Sequence, residues 1–231
     1  MIDSREEHML PVIDIEEIKK HAFGSRRYNV SNMYRNGFEA HDEEINATVG
    51  ILVCDCRRQY DRETVVNYLT VFNEHSWKYI DFYLPGYKKI NKKNINQADL
   101  HIGDKYFAFS EDDFNKAIGQ LKTEGIKEIY EPLLILVEIS NRSTETFSDL
   151  KKVVIRLNKA ESVGVLFDVI FEIAKKEIRL EHIINKLRIR YIKGNSSNKI
   201  ISIISSIIPG FIKELTSTGI EVYSLNGAIK K

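Results

Sequence analysis

The chain has 231 residues, 34 basic and 33 acidic side chains, and 43% hydrophobic residues. That much apolar material at a net charge of +1 excludes a disordered chain, since a core can form and there is little self-repulsion. Nucleic acid as a general partner is not favoured by the balance, because coating phosphates needs a clear Lys/Arg excess, although a local basic patch stays compatible with it.

In chain order, Asp14 and Glu17 form the start signal of a short helix carrying Ile15, Ile18 and Ala22 and ending near Gly24. Residues 25–46 are polar and Arg/Asn-rich and read as an irregular arm. Val49 to Cys56 is a continuous apolar run, the pattern of a strand buried on both faces. A charged turn, Arg57 to Arg62, leads to Val65, Val66, Leu69 and Phe72 at helical spacing, and Lys78 to Leu84 reads as a second strand stopped by Pro85-Gly86. Strand, helix and strand close naturally as a parallel crossover.

Residues 87–104 are Lys/Asn-rich and read as a surface loop, followed by a short aromatic strand, Lys105 to Phe109. Ser110 and Asp113 cap a helix with Phe114, Ala117, Ile118 and Leu121 on one stripe. Pro132 to Ile139 is the strongest strand, and a helix is expected from Thr146 and Asp149 through Leu150, Val153, Val154 and Leu157. Val163 to Lys176 fits helix or strand. Leu180 to Leu187 reads as helix, Lys199 to Leu215 as two helical pieces broken at Pro209-Gly210, and Ile220 to Leu225 as a last strand. The expected fold is α/β: a Rossmann-like three-layer domain with a mostly parallel sheet and a helix-rich C-terminal part. A single domain over 1–231 is expected, with a helix and arm at 1–48, an alternating core at 49–160 and a helix-rich part with a final strand at 161–231.

Met1 to Glu7 carries acids where a signal peptide needs basic residues, and Ile200 to Ile212 is interrupted by serines, Pro209 and Gly210, short of the roughly 20 residues that span a bilayer. A cytoplasmic protein away from membranes is expected. The two cysteines, Cys54 and Cys56, offer no disulfide framework. The six histidines fall in no metal-binding spacing, so neither a metal site nor a cofactor is expected.

In an open parallel sheet the ligand crevice lies beyond the carboxyl ends of the strands. Three strand ends would then converge on one rim. The first presents Asp55, Arg57, Arg58 and Asp61, the second Asp81 and Tyr83, the third Glu138, Ser140, Asn141 and Arg142. Two arginines at a strand-to-helix turn suit a phosphate, but the turn lacks the glycines of a dinucleotide fingerprint, and a solvated turn capped by Asp61 explains it as well. Asp81 and Glu138 are acids in apolar strands; they are candidate catalytic carboxylates for a divalent-metal nuclease, and Asp81 is otherwise a partner for Arg57 or Arg58. A nuclease of the restriction type would want Glu-x-Lys where this chain has Glu138-Ile-Ser140. Cys54 and Cys56 would be nucleophiles if the arginines lowered their pKa, and are otherwise core packing.

The strand and helix alternation resembles, at fold level alone, small Rossmann-like domains that handle nucleotides, including nucleosidase-like and TIR-like domains; the resemblance would put a catalytic glutamate near Glu145. No catalytic constellation is complete. The sequence therefore favours an interaction or regulatory subunit, with a protein partner or a second copy of itself held through the arm and the Ile-rich segment near 200–208. The 32 isoleucines and 16 asparagines against 9 alanines carry the bias of an AT-rich microbial genome, which suggests a microbial multi-protein complex of the phage-defence or toxin kind. The alternatives are an enzyme or sensor for a nucleotide or other phosphorylated ligand, and the metal nuclease.

Overall fold

The computed structural model describes residues 13–24, 46–69, 80–124, 126, 129–142, 146, 147, 149–157, 160–174, 180, 183, 212–215 and 220–225. Residues 25–45 of the arm, Glu145 and residues 200–211 of the Ile-rich segment lie outside them.

Helix α1 (Ile15–Gly24) starts as its cap signal requires, with Glu17 N–H donating to Asp14 Oδ1 at 3.1 Å. Strand β1 (Asn46–Val53) is buried on both faces and is followed by the short helix α2 (Gln59–Thr64) and a 3-10 turn at Val66–Tyr68. Strand β2 (Asp81–Tyr83) runs parallel to β1, as the strand–helix–strand pattern implies. Gly50 pairs with Phe82 in this register, and a β-carbon at Gly50 would run into the Phe82 ring. The glycine lets that ring lie across the neighbouring strand.

The stretch read as a loop is instead a second sheet. Pro85-Gly86 forms a reversing turn, Gly86 at φ +85° and Tyr87 N–H on Leu84 O at 3.3 Å, a conformation that asks for glycine. It launches β3 (Tyr87–Ile90), a 3-10 segment at Lys92–Gln97, β4 (Leu100–Ile102) and β5 (Lys105–Phe109), which pair antiparallel in the order β3-β5-β4. Helix α3 (Glu111–Thr123) follows, its Asp113 N–H donating to Ser110 Oγ at 3.4 Å.

Beyond α3, β6 (Leu133–Ser140) runs antiparallel to β1, from Asn46 opposite Ser140 to Val53 opposite Leu133. In place of the helix that the sequence predicts from Thr146 there is a turn, closed by Thr146 Oγ1 on Asp149 Oδ2 at 2.7 Å, and then strand β7 (Lys152–Leu157). Leu150, Val153, Val154 and Leu157 suit a helical stripe, but in β7 alternate residues are buried on opposite faces of the sheet, which a strand covered on both sides also satisfies. Helix α4 (Ala160–Ala174) makes the ambiguous segment helical as far as Ala174, and Lys175 and Lys176 lie outside the described residues. The last strands are β8 (Ile212–Leu215), where the sequence pattern favours a helical piece, and β9 (Ile220–Leu225), where it favours a strand.

The large sheet has the order β2-β1-β6-β7-β9-β8 and is antiparallel throughout except for the β1–β2 pair. This overturns the mostly parallel, Rossmann-like reading. Alternation of strand and helix along the chain implies a parallel sheet only when successive strands are neighbours; here a separate sheet and a helix intervene between β2 and β6. One face of the large sheet packs Leu52, Leu134, Leu136 and Ile155 against α4. The other packs Val49, Ile135 and Val137 against α1 and α3. Among the described residues no helix is long and apolar enough to cross a membrane.

Candidate functional site

Because β1 and β6 are antiparallel, their carboxyl ends lie at opposite ends of the sheet. Asp55, Arg57, Arg58 and Asp61 gather beyond Val53, whereas Ser140, Asn141 and Arg142 sit beside Asn46. The length of β1 and its extension separates Asp55 from that far end, about 30 Å at strand rise. The single rim of three strand ends therefore does not exist.

Asp81 and Glu138 do not form a pair either. Asp81 is level with Val49, and Glu138 with Thr48. Directly opposed residues share a face and successive ones alternate, so the two carboxylates point to opposite sides of the sheet and cannot share one cation. Asp81 is buried four residues, about 13 Å, back from the end of β1, away from the Arg57–Arg58 turn. Glu138 serves the fold, because its Oε2 accepts the Leu180 N–H at 2.9 Å and Lys151 Nζ lies 3.7 Å from Oε1. Tyr83 is buried, its hydroxyl donating to Ile18 O at 3.2 Å, and so it belongs to the core under α1. At Ser140–Arg142 the Arg142 N–H donates to Ser140 Oγ at 3.2 Å, which is local turn chemistry. Among the described residues no cluster of three or more His, Cys, Asp or Glu side chains is placed to hold a metal ion.

The end of β1 does assemble. Asp55 accepts both Arg57 Nε and Arg57 Nη2 at 3.0 Å, a two-pronged pair that matches the planar guanidinium to the planar carboxylate. Arg57 also donates to Glu111 Oε2 at 3.2 Å and lies 4.3 Å over the Phe109 ring. Burial works to raise the Asp55 carboxyl, but hydrogen bonds from Arg57 outweigh it and hold the group below the usual carboxylate range. Arg58 donates to Tyr130 O at 3.2 Å and stands 3.6 Å from Asp61 Oδ2 and 3.8 Å from Asp55 Oδ2. Arg62 Nε reaches Cys56 O at 3.1 Å.

Asp61 is not a helix cap. Helix α2 starts after Arg58 with no side-chain cap, and Asp61 turns inward instead, its Oδ2 accepting Asp55 N–H at 2.7 Å. Its Oδ1 is buried without a hydrogen-bond partner. Burial pushes this carboxyl up, against the Asp55 N–H and Arg58, which favour its charged form.

Below the turn, the Tyr87 hydroxyl accepts Cys56 N–H at 2.8 Å and donates to Cys54 O at 3.0 Å, so β3 is pinned to the end of β1. Both cysteines are free and buried, and burial pushes both thiols up, Cys54 further raised by Asp61. The arginines do not produce a thiolate, and the nucleophile reading fails.

Outside the network, Tyr130 is 76% exposed and Tyr60 43%. Burial, and then the Glu131 charge, raises the Tyr60 hydroxyl pKa, and the Tyr130 carbonyl accepts Arg58. Sequence reasoning misses Tyr60, Tyr130, Glu111, Phe109 and Tyr87. Tyr130 has a visible signal, a large ring shortly before a breaker and a strong strand; Tyr87 has none, since it begins a stretch without strand patterning. No family model matches this chain, and comparison with curated proteins and with solved structures gave no match.

Proposed function

We propose that this chain is an interaction or regulatory subunit of a multi-protein complex, and that a partner protein docks at the end of β1 on Tyr130, Tyr60 and Arg58. The exposure of Tyr130 beside a fixed arginine carries this reading. Tyrosine and arginine are the side chains on which binding energy concentrates at protein interfaces. Arg58 is already held by the Tyr130 carbonyl, Asp55 and Asp61, so docking would cost it little side-chain entropy. The Ile- and Asn-rich composition supports a microbial setting, with phage defence as the proposed context.

The test is copurification from the native host followed by reconstitution. A stoichiometric partner should bind the wild-type chain, and Tyr130→Ala with Tyr60→Ala should weaken the reconstituted complex at least tenfold. A partner that binds wild type and variant equally, or a chain that stays alone at native concentration, overturns the proposal.

A second reading, a nucleotide or other phosphorylated ligand at the same turn, is supported by the two half-exposed guanidiniums of Arg57 and Arg58. Against it stand Asp55, Asp61 and Glu111, which already balance them. A melting shift with any of a panel of nucleotides, lost in Arg57→Ala with Arg58→Ala, would move the assignment to this reading.

A further inference from the structure

Between residues 87 and 109 the chain carries five lysines and two aspartates, so this stretch is at +3 within a chain of +1 overall. Four of these lysines lie on the edge strand β3 and on the 3-10 segment that follows it. Its register separates two faces: Tyr87 with Phe109, and Phe107 with Leu100, point to the core, while Lys88 with Ala108, and Ile90, Tyr106 and His101 in one row, point the other way.

On that outer face the His101 and Tyr106 rings are stacked, centroids 4.6 Å apart and 12° from parallel. His101 is exposed on β4, an edge strand of this sheet, and Tyr106 is half-buried on the central strand. Lys88 is exposed on this face of the opposite edge strand, whereas Lys89, opposite Phe107, belongs to the other face; Lys92 and Lys93 are exposed on the 3-10 segment, which packs against β5. Lys88 Nζ lies 2.6 Å from Asp113, a carboxylate it shares with Lys116, so two lysines meet one acid there.

We propose that this outer face binds single-stranded nucleic acid. Bases stack on the His101–Tyr106 pair, and Lys88 of β3, with Lys92 and Lys93 of the 3-10 segment, meets the phosphates. Stacked rings on an open antiparallel sheet, bordered by lysines, combine the two contacts that sequence-tolerant single-strand binding uses. Single-stranded nucleic acid is favoured over an acidic protein segment because every base offers a flat face to the rings along with its phosphate, whereas an acidic segment offers chiefly charge. Overall neutrality is no obstacle, because phosphate contacts are local and their reach is limited to about one Debye length.

Fluorescence anisotropy with a labelled 20-mer of deoxythymidine and one of uridine, against the full chain, tests this. Binding should weaken linearly with log salt. Lys92→Ala with Lys93→Ala, both exposed, should reduce the slope by about 1.4, given ~0.7 per single-strand phosphate contact. His101→Ala, also exposed, should weaken binding about tenfold at constant slope, because it removes stacking and not charge. Absence of binding at low salt by the folded chain overturns the proposal. So does equal binding of a polyglutamate peptide, or an affinity indifferent to His101→Ala, since either would mark a surface that reads charge alone. Because the surface at Tyr130 and Tyr60 is not involved, the Tyr130→Ala, Tyr60→Ala chain should bind the oligonucleotides as wild type does.

Discussion

The end of β1 and the outer face of the small sheet are both rich in basic side chains, yet they hold them differently. At the end of β1 each arginine is matched to a carboxylate or a carbonyl, and Asp55, Asp61 and Glu111 tie the turn to α2 and α3. On the small sheet, Lys88 shares Asp113 with Lys116 on the face that carries the stacked His101 and Tyr106 rings, and residues 87–109 hold five lysines against two aspartates. Charge that is internally matched fixes a turn; charge in excess creates a field that an oppositely charged partner can use. Counting arginines along the sequence points to the first region, whereas counting what faces them points to the second.

The contrast rests on the large sheet as a rigid base, and the largest expected effect lies there. Leu136→Ala, buried in the central part of β6, should cost about 3 kcal/mol, read from the urea midpoint. If the small sheet is only anchored to this base, it should unfold in the same transition; separate transitions by near-UV circular dichroism and by amide exchange would show that the two sheets are independent units.

A smaller effect is expected where the two regions join. Tyr87→Phe removes the hydroxyl that serves both Cys56 N–H and Cys54 O, leaving a buried donor unsatisfied, for about 1–3 kcal/mol. Amide exchange should speed up at Cys56 and along β3. Unchanged protection there would mean that the Tyr87 hydroxyl does not couple the sheets.

The smallest effects are in pH dependence, and the two regions should respond in opposite directions. The Asp61 carboxyl is raised by burial, so the folded chain holds its proton beyond the ordinary value near ~4, and this group takes stability away as pH rises through that window. Relative to wild type, Asp61→Asn should therefore gain urea resistance between weakly acidic and neutral pH. Asp113 is held down to about 2, chiefly by Lys88 and then by Ser110. Its contribution is fully present above ~4 and is lost as pH falls towards 2, so Asp113→Asn should flatten the acid limb of the stability profile. The same sign in both variants would mean that the buried Asp61 and the lysine-paired Asp113 do not differ in how their surroundings treat charge.

Much of the element pattern is legible from local chemistry. The caps at Asp14 and Ser110 and the apolar runs of β1, β6 and β9 act within a few residues of themselves, so the chain specifies them directly. The segment from Leu150 to Leu157 misleads because a strand covered on both faces and a helical stripe present the same residues. Strands β3 and β4 are hidden in what reads as a loop because their outer face is polar and they are short.

The candidate site shows the same boundary. The Asp55–Asp61 cluster can be found in the sequence because its members lie within one turn, and the structure brings them together. Strand direction cannot, since pairing β1 with β6 is a contact across about 80 residues that no local pattern encodes. That direction alone places Glu138, Ser140, Asn141 and Arg142 toward the far end of the sheet, and the pleat puts Asp81 on the face opposite Glu138. Composition, the balanced charge and the elements with local signals belong to the sequence; the strands without them, and which charges meet, were decided by how the strands pair.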